Sequence, residues 1–144
     1  MVHAACYTQR EAEAEQGIRI HSELMVIALN CRHMAPQPDL YAQYQRLTAT
    51  NAAVFAGYEA DLLAFYTRMG ENSPEGELHS LRTHFANELA TRAARVRPDL
   101  FCGRYAARIP RAASFTQDQM RAWASSLQTG YTLTHQVCKT SAKP

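Results

Sequence analysis

The chain has 144 residues, 47% of them apolar and 19% charged, with a formal net charge of +2. This is the composition of one globular domain large enough to bury a core unaided, and it excludes a disordered chain and a global polycation. The longest apolar run, Leu24 to Leu29, is six residues, far short of the roughly 18 needed to span a membrane. One domain over residues 1–144 without a transmembrane segment is expected.

Charge is unevenly placed. Up to Cys31, the glutamates Glu11, Glu13, Glu15 and Glu23 outnumber Arg10 and Arg19. Between Arg92 and Arg121, seven arginines meet only Asp99 and Asp118. Lysine occurs only at Lys139 and Lys143, an arginine preference read here as the mark of a GC-rich bacterial genome.

The first helix is expected over residues 8–34. Thr8-Gln9-Arg10-Glu11 is a capping box, in which the Thr hydroxyl and the Glu carboxylate each satisfy an orphan backbone N–H. At 100° per residue, Ala14, Ile18, His21, Met25, Ala28 and Leu29 form one apolar stripe, and Ile20, Leu24, Ile27 and Cys31 a second. Only Arg19, Glu23 and Asn30 are left as a narrow polar strip, interrupted by Val26. A helix apolar around most of its circumference belongs at the centre of a bundle. Pro36 and Pro38 end it.

A second helix is expected over residues 39–69. Leu40, Tyr44, Leu47, Asn51, Phe55, Tyr58, Leu62, Phe65 and Met69 recur at steps of three and four, and Gly70 stops the pattern. Unbroken it would run about 46 Å, so a bend is expected around Thr48–Asn51 or Gly57, where helix formers are weak. Tyr41, Phe65 and Tyr66 widen its apolar face and offer a surface for either the core or a second copy in a homodimer.

Ser73-Pro74 opens a third helix over residues 73–95, with Leu78, Leu81, Phe85 and Leu89 facing inward. A short helix is expected over residues 99–107, bounded by Pro98 and by a break at Ile109-Pro110. Thr116-Gln117-Asp118-Gln119 is a second capping box, flanked by the staple pair Phe115 and Met120. It starts a last helix over residues 116–129, which presents Met120, Trp123, Ala124 and Leu127 inward and stops at Gly130. The expected fold is all-α: an up-down bundle of four main helices plus a short one, stapled by disulfides.

All four cysteines fall at element ends and none belongs to a CxxC, CxxCH or other metal or redox motif. If the helices alternate in direction, Cys31 and Cys102 share one end of the bundle and Cys6 and Cys138 the other, which predicts those two disulfides. Stapling cysteines place the chain in the periplasm or outside the cell, with its leader removed; the alternative is a cytoplasmic chain with free thiols.

Residues that bear chemistry are sparse. His21 and Met25 share a stripe of the central helix and are candidate ligand-lining residues, in a geometry by which helix bundles hold b-type haem. The competing reading is a core histidine bonded to Asn51 or a tyrosine. Cys31, His33 and Cys102 supply three potential zinc ligands, but structural zinc takes four, so disulfides account better for the cysteines. Glu-x-x-His, Gly-x-Ser-x-Gly and Gly-rich phosphate loops are all missing. Neither a catalytic residue nor a metal or other cofactor is assigned. Arg92, Arg95, Arg104, Arg108 and Arg111 form a candidate polyanion site, interleaved with Phe101 and Tyr105 as potential base-stacking rings. The function expected is non-enzymatic: a small protein of the bacterial envelope or extracellular space that binds another macromolecule, itself most simply a protein. Polyanion binding through the Arg92–Arg121 face, or a ligand held at His21 and Met25, are the alternatives.

Overall fold

The computed structural model describes residues 5–34, 39–126 and 132–139. Within them the chain forms seven helices: α1 (Gln9–Cys31), α2 (Leu40–Thr50), α3 (Ala52–Arg68), α4 (Pro74–Arg95), α5 (Pro98–Tyr105), α6 (Arg108–Ala113) and α7 (Gln117–Ser125). The fold is an all-α helix bundle. Pro36 and Pro38, read as ending the first helix, and Leu127 and Gly130 lie outside the described residues.

The local signals fold as their chemistry dictates. Both capping boxes are made, with Thr8 Oγ1 accepting from the Glu11 amide and Thr116 Oγ1 from the Gln119 amide. Ser73 caps α4 by accepting from the Gly76 amide, with Pro74 in the first turn. Gly70 ends α3 at φ +80°, donating to Thr67 while Glu71 donates to Tyr66, so the last carbonyls are satisfied in a Schellman arrangement.

Two predicted boundaries are corrected. The 39–69 helix is two helices, α2 and α3, parted at Asn51, within the Thr48–Asn51 stretch where a bend is expected. The Asn51 side chain donates to the Leu47 carbonyl at 2.9 Å, alongside its own backbone N–H. This competition with the helical ladder bends the chain, whereas Gly57 sits undisturbed inside α3. The second correction concerns Pro110, which does not break a helix but lies in the first turn of α6, where its missing N–H costs no intrahelical bond.

Helix α1 is the axis of the bundle. It touches each of the other six helices, and 16 of its 23 residues are buried, so it has no solvent face to spare. Leu81, Phe85 and Leu89 of α4, Val54, Tyr58, Leu62 and Phe65 of α3, and Met120 of α7 complete the core around it. Phe65 and Tyr66, offered by the sequence as a surface for a second copy, are buried within this chain. Leu29, placed on an apolar stripe, is 45% exposed.

The polar strip of α1 is where structure and sequence pattern part most. Glu11, Glu15, Arg19 and Glu23 stand four residues apart on one face, and all four are buried. Each finds partners on other parts of the chain. Arg68 donates to both oxygens of Glu11, at 2.8 and 3.1 Å. Burial opposes ionisation of Glu11, but the Arg68 and Thr8 bonds outweigh it and hold the carboxyl below its usual range. Glu15 accepts from the Tyr7 hydroxyl at 2.6 Å, the Thr134 amide at 2.9 Å and the Thr134 hydroxyl. Arg19 lies 3.4 Å from Glu88, with its guanidinium 4.1 Å from the centre of the Phe85 ring.

The segments 5–8 and 132–139 are tied to α1 by the same seam. Tyr7 and Val137 form a parallel bridge, with Tyr7 N–H donating to Gln136 and Cys138 N–H to Tyr7, both at 2.8 Å. Cys6 and Cys138 pair at disulfide distance beside it, Cα atoms 5.0 Å apart. Cys31 and Cys102 pair in the same way at the far end of α1, Cα atoms 5.7 Å apart. These are the two pairs that alternating helix directions require.

Candidate functional site

Helix α4 runs out into an exposed corner. Pro98 forces the residue before it into extended backbone; Val96 and Arg97 are both extended and α5 starts at the proline. From Ala94 to Leu100 every residue is exposed, including the aliphatic side chains of Val96 (46%) and Leu100 (59%). Arg92 and Arg95, in the last turn of α4, favour the negative end of its dipole. Arg104 follows Leu100 by one turn of α5 and so shares its face.

Arg92, Arg95 and Arg104 thereby surround a notch of about 640 Å³ whose remaining walls are Val96, Leu100, Phe101 and Tyr105. None of the three has an acidic partner at ion-pair distance among the described residues. Arg97 is different: it forms a bidentate pair with Asp99, at 2.8 and 3.1 Å, and its charge is locally answered. The notch therefore joins three cationic side chains to an apolar lining whose exposed members, Val96 and Leu100, are aliphatic.

The structure divides the five candidate arginines. Arg92, Arg95 and Arg104 share the notch. Arg108 and Arg111 lie on α6 and face a separate cleft, where Arg108 stands 3.7 Å from Glu23. Arg104 and Arg108 flank one ring, with guanidinium carbons 5.7 and 4.7 Å from the Tyr105 centroid. Phe101 and Tyr105 are only 3% and 8% exposed, so their faces are committed to the core and to these cations rather than open for stacking bases.

His21 and Met25 are brought together, with Tyr44, His79, Arg82 and Ala86, around a pocket of about 310 Å³. The His21 ring is stacked between Phe55 and Tyr44, centroids 4.2 and 5.6 Å away. Its Nε2 lies 3.0 Å from the Thr48 hydroxyl and 3.3 Å from that of Tyr44. Burial, with a smaller contribution from the Arg82 charge, pushes its pKa down to about 4. Tyr44 and Thr48 thus both bond the histidine at Nε2, while Nδ1 is buried with no hydrogen-bond partner among the described residues and Asn51 is turned to Leu47.

Cys31 and Cys102 pair with each other, which removes the thiolates on which a zinc site with His33 depends. Among the described residues no group of three or more His, Cys, Asp or Glu side chains is gathered as metal ligands, and no helix is long and apolar enough to cross a membrane. Comparison of the chain with protein-family models, with curated proteins and with solved structures finds no match.

Proposed function

We propose that the protein is a disulfide-stapled binding module of the bacterial envelope or extracellular space, whose α4–α5 notch takes an acidic, apolar-bearing segment of a partner protein. The observation that carries this reading is the combination of three arginines without acidic partners among the described residues and two exposed aliphatic side chains around one concavity. Interfaces that bind tightly join an apolar centre to a polar rim, and arginine is enriched in them. A cationic rim selects an anionic partner and speeds its approach. A single-stranded nucleic-acid site would offer open aromatic faces for base stacking, and here the exposed apolar surface is aliphatic. The two cysteine pairs support an oxidising compartment.

The reading is tested by fluorescence anisotropy with short labelled peptides. A peptide alternating Glu with Leu binds, and its affinity falls as salt is raised. Replacing Leu by Ser, or Glu by Lys, weakens binding by about tenfold or more. Equal affinity for all three peptides contradicts the proposal, and preference for the serine peptide or for heparin reassigns the notch to polyanions.

A further inference from the structure

The second cleft, between α1, α6 and α7, encloses about 560 Å³ and is lined by Gln16, Arg19 and Glu23 below, Arg108 and Arg111 on one wall, and Phe115 and Trp123 on the other. We propose that it binds a small organic anion with a flat apolar body. This site is independent of the α4–α5 notch and shares no lining residue with it.

Three observations carry the inference. First, the floor is polar although it is buried: Gln16, Arg19 and Glu23 are 3%, 6% and 8% exposed. Taking such groups from water is costly, and apolar residues at these positions would pack the interior at less expense. A cleft of this volume with convergent polar groups at its base has the character of a small-molecule site.

Second, the lining holds three arginines against one carboxylate. Arg19 is 3.9 Å and Arg108 3.7 Å from Glu23, so one glutamate of the lining meets two guanidinium groups, and Arg19 also meets Glu88 of α4, outside the lining. Arg111 stands at the rim with no acidic partner at ion-pair distance among the described residues. Its planar fork suits a carboxylate or sulfonate.

Third, Trp123 and Phe115 meet edge to face at 89°, centroids 5.8 Å apart, and both are only partly buried. Part of their surface is therefore open on the cleft, where a flat ligand can pack while its anionic end reaches Arg111.

Trp123 is the single tryptophan of the chain, so its fluorescence reports this cleft directly. Titration with 4-nitrobenzoate, a flat anionic quencher, gives saturable quenching, and the neutral isostere 4-nitrobenzamide binds about tenfold more weakly. Arg111→Ala, at an exposed position that leaves the fold intact, removes the preference for the carboxylate. Arg104→Ala, in the notch, leaves it unchanged. Linear, non-saturating quenching by both compounds, or the same carboxylate affinity in Arg111→Ala, overturns the assignment.

Discussion

The Tyr7 hydroxyl donates a 2.6 Å hydrogen bond to Glu15, a carboxylate with no solvent exposure in the second turn of the central helix. Tyr7 precedes that helix, and Thr134, the other donor to Glu15, belongs to the segment that closes the chain. One buried acid therefore fastens the segments of Tyr7 and Thr134, far apart in the chain, to the core. Burial and the neighbouring Glu15 charge push the Tyr7 hydroxyl far above its usual pKa, so it stays a donor at all ordinary pH values. Tyr7→Phe is expected to lower unfolding free energy by about 1.5–3 kcal/mol, the range for a lost bond to a charged group. Urea denaturation with an unchanged slope checks this; an unaltered midpoint would show that Thr134 alone satisfies Glu15.

Gly17 marks a close approach of α3 to α1. A Cβ atom there would lie 2.2 Å from a ring carbon of Tyr58, so α3 lays an aromatic ring directly on the α1 backbone. Alanine gains about 1 kcal/mol of helix propensity over glycine, but overpacking costs about 1–3 kcal/mol. The ring, held by its bond to Glu13 at 2.9 Å, cannot step aside without losing that partner. Gly17→Ala therefore destabilises the protein, whereas the same change in a Tyr58→Ala background is neutral or stabilising. A double-mutant cycle by thermal or denaturant unfolding measures the coupling.

His21 makes stability depend on pH in a defined window. Its folded pKa, about 4, is below the ordinary 6.5, so between these values the unfolded chain binds more protons and stability falls as pH falls. The full shift amounts to about 3 kcal/mol, present above pH 6.5 and lost by about pH 4. Tyr44, Phe55 and Thr48 enclose the ring, and Arg82 is the charge that faces it. In His21→Leu this component disappears, while groups common to both proteins titrate alike. The difference in unfolding free energy between pH 7.5 and 4.5 should therefore be smaller in the variant; equal differences would place the pH dependence elsewhere.

The two cysteine pairs differ in what they hold. Cys31–Cys102 fastens the end of α1 to α5 beneath the notch, across 71 residues. Cys6–Cys138 closes nearly the whole chain, across 132. Replacing either pair by serines is expected to cost about 2–5 kcal/mol. Loss of Cys31–Cys102 should also weaken acidic-peptide binding, because α5 carries Leu100 and Arg104. Loss of Cys6–Cys138 should leave that binding intact in the folded protein. Calorimetry and anisotropy on the two variants separate these effects.

Much of the frame was legible from single residues. The capping boxes at Thr8 and Thr116, the glycine stop at Gly70 and the Leu78–Leu81–Phe85–Leu89 face each act through neighbours within one or two turns, and short-range signals of that kind survive in sequence. The cysteine pairing followed from helix direction alone. The seam of Glu11, Glu15, Arg19 and Glu23 did not, because its burial depends on partners such as Arg68, Thr134 and Arg108 that lie far along the chain; charge by itself predicts solvent. The break at Asn51 rests on whether its amide donates to Leu47. The arginine-rich stretch was visible as composition, but its division was not. Which arginines meet depends on the extended turn before Pro98 and on burial of Phe101 and Tyr105.

The notch is tested most directly by mapping amide shifts of isotope-labelled protein while the acidic Glu/Leu peptide is added. The proposed function predicts saturable shifts confined to the α4–α5 corner, centred on Arg92, Arg95, Val96, Leu100 and Arg104, and their loss when the three arginines are changed to alanine. Shifts centred on α6 and α7, or scattered over the whole basic surface and unaffected by that variant, would contradict it.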